Sequence, residues 1–217
     1  MIVETMNHTE VYRELHADKE NVDRWICRRL DGCRRKALKL RQFPARWMME
    51  YISPRKNRYI ISILCAKRKA IGNTAVAIFA LRREKHGHTV YMYKMNDTSK
   101  GMIFLPHFFE RYSERTHIDK TGMELIRHFF SRIVAGYVID KQNLAGKSVR
   151  YNGRDHLFIA LEDGILLGDV EGKNFIVRTF ITYDMAGNLQ KSDFLHAKEQ
   201  LPDVDEEMRI IHKSKPL

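Results

Sequence analysis

"HLFIALEDGILLGDVEGKNFIVRTFIT", residues 156–182, contains three short runs rich in Ile, Leu, Val and Phe, separated by "EDG" and "EGK". Runs of this length and composition, broken by Gly and Asp turn chemistry, read as antiparallel strands joined by tight turns. "SVRYN", residues 148–152, adds a run ahead of them, with "NGRD" as its turn, so this part of the chain reads as a four-stranded meander.

Two helical patterns precede the meander. In "LPHFFERYSERTH", residues 105–117, the aromatic residues gather on one face, and "DKTGMELIRHFFSRIVAGYV", residues 119–138, repeats its apolar positions at Leu125, Phe129 and Ile133. Asp119 or Thr121 is placed to cap the second helix. After the meander, "YDMAGNLQKSDFLHAKEQL" reads as a closing helix, and residues 202–217 as a tail only partly ordered.

The first hundred residues show the same change of period. From Asn7 to about Arg41 the positions Val11, Leu15, Val22, Ile26, Leu30, Cys33, Ala37 and Leu40 recur at helical spacing, with Gly32 as a place to bend or split the helix. "FPARWMMEYISPRKN", with a proline near each end, reads as a short helix. "RYIISILCAKR", "TAVAIFALRRE" and "HTVYMYKM" read as a three-stranded antiparallel sheet, the last two strands flanking a hairpin turn at "EKHGH". The polar "NDTSKG", residues 96–101, marks an internal boundary. The fold class is therefore α+β: residues 1–100 as a helix and β-hairpin lobe, then residues 101–217 as two helices on the meander, or both as one integrated domain.

Composition narrows the function. With 217 residues, 44% of them hydrophobic, the chain can bury a real core, and no run is long and apolar enough to span a bilayer. "MIVETMNHTE" lacks the layout of a secretion signal, and the three cysteines form no CxxC pair, so the expected compartment is the cytoplasm and a membrane partner is not expected. A formal charge of +11 favours polyanionic partners. Arg24, Arg28, Arg35 and Lys39 lie along one face of the first helix. Taken alone such a run is most often a solvated surface, and with a polyanion present it becomes a nucleic-acid-binding face.

Familiar motifs fail. "LAGKSVR" ends like a phosphate loop but has Lys141 where that pattern needs glycine. His86 and His88 fall in a turn, no zinc spacing or HExxH occurs, and no GxSxG is present, so neither a metal nor a cofactor is expected.

In "HFFERYSERTHI", residues 107–118, His107, Arg111 and Arg115 are four apart and share a band roughly 80° wide on a helix. The bland account is the wet side of a helix, with Glu110 and Glu114 relieving the two arginines. Facing a phosphodiester, the same three supply a group that titrates near neutrality and two planar phosphate grips, the kit of a metal-independent ribonuclease. The motif, followed by a helix, a meander and "FIVRTFIT", resembles the small domains related to the barnase, EndoU, colicin and RelE group of nuclease and toxin folds. The resemblance covers roughly residues 104–183. It implies RNA cleavage through 2′-OH attack, with His107 as acid or base, Arg111 and Arg115 as phosphate clamps, and Thr179 or Thr182 as the polar residue of the last strand, Thr179 being favoured. Tyr183 and His156 stand in reserve for the second proton transfer.

The leading expectation is thus a metal-independent ribonuclease, with RNA ahead of DNA as partner. Beside it stand a non-catalytic nucleic-acid-binding protein, carried by Arg24, Arg28, Arg35 and Lys39, and a protein-interaction or inhibitor module of a phage or mobile element with a protein partner.

Overall fold

The computed structural model describes residues 1–94, 97–133, 137–139, 150–151 and 154–201. Among these, residues 1–101 and residues 102–201 form two compact units.

The first unit begins with α1 (His8–Leu38). A capping box opens it: Asn7 accepts from the Glu10 backbone N–H at 3.0 Å, and Glu10 accepts from that of Asn7 at 2.8 Å, filling donors that a helix start leaves without partners. Val11, Leu15, Val22, Ile26, Cys33 and Ala37 are buried, as their spacing predicts. Gly32 does not split the helix, which runs through it unbroken. Leu40 lies past its end and is exposed.

A sheet backs α1, in the order β1 (Ala45–Ile52), β2 (Arg58–Cys65), β3 (Ala75–Glu84), β4 (Gly87–Lys94), β5 (Asp97–Phe104). The three expected strands are β2, β3 and β4. The segment read as a short helix is instead β1, paired along its whole length with β2. Its Met and Glu residues favour a helix only weakly, and pairing overrides them: Trp47, Met49 and Tyr51 stand opposite Ile63, Ile61 and Tyr59. Most of the segment read as a polar boundary is β5, because polar composition does not reveal whether a neighbouring strand fills the backbone hydrogen bonds. The sheet is accordingly larger than three strands.

One buried carboxylate fixes α1 to this sheet. Asp18, fully buried, accepts from Tyr59 at 2.8 Å, from Asn57 at 2.8 Å, from Ser53 at 2.5 Å and from Asn21 at 2.9 Å. One helical turn earlier, Glu14 accepts from Arg55 at 2.7 and 2.9 Å and from Asn57 at 2.9 Å. The β1–β2 turn is thereby tied to the first half of α1. The Arg55 guanidinium above all, then the Met1 ammonium at 2.7 Å and Asn57, hold the Glu14 carboxyl down at about 2 against the opposing effect of burial.

In the second unit the sheet runs from residues 102–104, the end of β5, to β10 (Asn174–Ile181), β9 (Gly164–Glu171), β8 (Arg154–Leu161) and β6 (Tyr137–Ile139), while β7 (Arg150–Tyr151) also pairs with β8. The meander is β8, β9 and β10, and β5 runs parallel to β10. The helix expected to reach Val138 stops at Arg132, and Tyr137–Ile139 is a strand opposite Ala160–Phe158, as its Tyr-Val-Ile composition favours.

The helices α2 (Pro106–Thr116) and α3 (Gly122–Arg132) bring Phe108, Phe109, Tyr112, Phe129 and Phe130 around Phe104, mostly edge to face at centroid distances near 5 to 6 Å. Thr121 takes the cap position of α3, without a side-chain bond to the helix. A second cluster forms where α4 (Asn188–Glu199) places Phe194 and Ala197 against Ala160, Ile165, Tyr183 and Ala186. The closing helix thus begins only at Asn188, after a 3-10 turn at Tyr183–Met185. Residues 202–217 lie outside the described residues.

Candidate functional site

The α2 row takes its form from the buried side of that helix. Phe108, Phe109 and Tyr112 point inward, so His107 and Arg111 are exposed and Arg115 is half-buried at the rim. The three do not share one task. Arg111 is paired with Glu114 at 2.9 Å, on the exposed face, where such a pair contributes little. Arg115 donates to Thr179 Oγ1 at 3.0 Å and to the Phe180 carbonyl. His107 has no polar partner among the described residues.

Thr179 reaches this contact through a bulge. Strand β10 shifts register against β9 between Val177 and Thr179, leaving Arg178 as the extra residue, and Arg178 pairs with Asp169 and with Glu171 at 3.3 Å. Pairing with β5 ends at Val177, whose carbonyl accepts from Leu105 N–H at 3.4 Å. Past that point β10 has no described neighbour on that side, and Arg115 fills the Phe180 carbonyl that would otherwise want a strand partner.

The other expected residues scatter. Thr182 precedes the 3-10 turn, and its carbonyl accepts from Met185. Tyr183 is buried against α4 and donates to the Leu161 carbonyl at 2.5 Å, and burial pushes its hydroxyl up to about 12. His156 lies on β8 opposite Asp169, and its side chain is outside the described residues. A hollow lined by Tyr112, Phe129, Leu161 and Phe180, with the Arg132–Asp163 ion pair at 2.8 Å among its walls, includes none of His107, Arg111, Arg115 and Thr179. Among the described residues no group of three or more His, Cys, Asp or Glu is placed to hold a metal ion, and no helix is long and apolar enough to cross a membrane.

The α1 row is different. Arg24, Arg28, Arg35 and Lys39 are all exposed, and none has an ion-pair or hydrogen-bond partner among the described residues. The one carboxylate in their midst, Asp31, is taken by Arg34 at 3.5 Å. Sequence reasoning missed what lies beside this row. The 3-10 helix Arg68–Asn73 packs against the end of α1: Arg34 donates to the Gly72 carbonyl at 3.0 Å, and Arg68 to the Leu38 carbonyl at 3.3 Å. Beneath it Ala37, Ala45 and Cys65 pack with Ile71, Phe43 and Trp47. The available signal is the run "KRK" at 67–69, which composition alone places at the end of a strand.

Together, residues 24–41 and 67–69 hold eleven of the 38 Lys and Arg and one of the 27 Asp and Glu. Net +10 of the formal +11 therefore comes from these two stretches, and the remaining chain is close to neutral. Basic residues at a helix C-terminus complement its dipole, but that need is met within the last turn by one or two of them.

No family model matches the chain, nor does any curated protein or solved structure.

Proposed function

We propose that this protein binds nucleic acid through the second half of α1. One observation carries the reading: Arg24, Arg28, Arg35 and Lys39 are exposed and without partners among the described residues, on a surface that accounts for nearly all of the chain's net charge. Unpaired cations on one side of a rigid helix hold small anions only loosely in water, and a phosphate backbone binds them with release of its own counterions. The test is fluorescence anisotropy of labelled RNA and DNA against salt. Affinity should fall steeply as salt rises, and Arg28→Ala with Arg35→Ala should flatten the slope by about 0.9 for each phosphate no longer neutralised. Salt-insensitive binding, or none, refutes the proposal.

A second reading, the metal-independent ribonuclease, is favoured by the Arg115–Thr179 hydrogen bond, which joins the helix and late strand that the resemblance pairs. Against it, Arg115 is engaged by the fold and Arg111 by Glu114. End-labelled RNA incubated in EDTA with the protein and with His107→Ala decides it. Cyclic-phosphate ends that vanish with the variant establish cleavage at His107.

A further inference from the structure

The cations of α1 are spread around the helix rather than confined to one line. At roughly 100° per residue, Arg24, Arg28, Arg35 and Lys39 lie within about 60° of one another, facing away from the buried stripe. Arg29 and Lys36 lie about 100° to one side of that row. On that flank Arg29 sits over Trp25, which stacks on Tyr51 of β1. Arg34 lies about 110° to the other side, where it holds the 3-10 helix that brings Arg68 and Lys69. The exposed arc of α1 is therefore cationic at its crest and along both flanks, over about 22 Å of helix from Arg24 to Lys39.

A single strand offers one row of phosphates, which the crest alone would satisfy. Cations on both flanks match two facing rows, as on the walls of a groove. The aromatic side chains here are not arranged as a stacking platform: Trp25 is already stacked on Tyr51, and Trp47 packs in the cluster beneath the 3-10 helix. The groove must also admit a helix with its side chains, about 10–12 Å across. The B-form major groove, about 12 Å wide, does so, whereas the A-form major groove is too deep and narrow.

Resting on the nucleic-acid reading above, we infer that the ligand is double-stranded DNA, with the second half of α1 lying in the major groove, Arg29 and Lys36 toward one backbone and Arg68 and Lys69 toward the other. Crest residues Arg24, Arg28 and Arg35 then face base edges, where arginine favours guanine.

The test uses the full chain with a duplex DNA of about two helical turns, one strand of it, and an RNA duplex of the same sequence. Duplex DNA should bind at least tenfold tighter than either alternative. Lys36→Ala and Lys69→Ala, one on each flank and both exposed, should each weaken duplex DNA several-fold and leave single-strand binding within twofold. Circular dichroism of both variants checks that the helix is kept. Equal or tighter binding of single strand or duplex RNA, or an effect from one flank only, overturns the groove assignment while leaving nucleic-acid binding intact. Failure of all three ligands to bind removes the parent proposal together with this one.

Discussion

Arg115 and Thr179, 64 residues apart in sequence, are joined by a 3.0 Å hydrogen bond between a guanidinium nitrogen on α2 and a hydroxyl just past the bulge of β10. The same guanidinium satisfies the Phe180 carbonyl where β10 runs past its neighbour. Arg115 is thus part of the structure of the second unit.

Replacing Arg115 with alanine should cost about 2 kcal/mol, because a charge-assisted bond is removed and a carbonyl is left without its donor. Thr179→Val should cost less, about 1 kcal/mol, since the carbonyl keeps its partner. Urea titration of the two variants checks the order. An Arg115→Ala protein as stable as the parent would mean that the guanidinium contributes nothing to the fold.

Asp18→Ala should be among the most damaging single changes in the first unit, at about 3 kcal/mol, because Ser53, Asn57 and Tyr59 are deprived of a common acceptor inside the core. Tyr59→Phe removes one donor and leaves the carboxylate with three, so its effect should be smaller. Thermal unfolding of both distinguishes a buried hub from an incidental contact.

Glu14 predicts a pH dependence. Its folded-state pKa of about 2 lies below the ordinary value of 4.5, so its contribution to stability is full above 4.5 and is lost as pH falls toward 2. Melting temperatures across that window should fall more steeply for the parent than for Glu14→Gln, and parallel curves would refute the link.

Gly168→Ala should destabilise the meander by about 3 kcal/mol. A Cβ there would strike the Ile176 carbonyl of β10 and come within 2.6 Å of the Phe175 ring, and a backbone atom cannot swing aside. Gly172→Ala meets open space but requires a left-handed backbone at φ 61°, so its cost should be smaller. Equal destabilisation by the two would contradict the crowding.

The periodic elements are legible in the sequence. The stripe from Val11 to Ala37 marks α1, the inward aromatics mark α2, and "EDG" and "EGK" mark the turns of β8, β9 and β10. Elements that depend on pairing are not, since "ARWMMEYI" and "DTSKG" have no strand-like composition and become strands beside their neighbours. The Arg111 ion pair is legible as a local i to i+3 relation. The Arg115 contact is not, because a bulge at Arg178 changes which residues β10 presents, and nothing in "VRTFI" announces it. The basic 3-10 helix is hidden for a related reason: "KRK" gains meaning only when Arg34 and Arg68 draw it against the end of α1.

The concentration of net charge in two short stretches has a kinetic consequence. If these stretches meet a polyanion as proposed, the charge concentrated there would orient encounters before contact is made. Ionic strength would then act on the rate of arrival as well as on the phosphate contacts themselves. Residence would be set afterwards by the contacts proposed for the crest and flanks of α1.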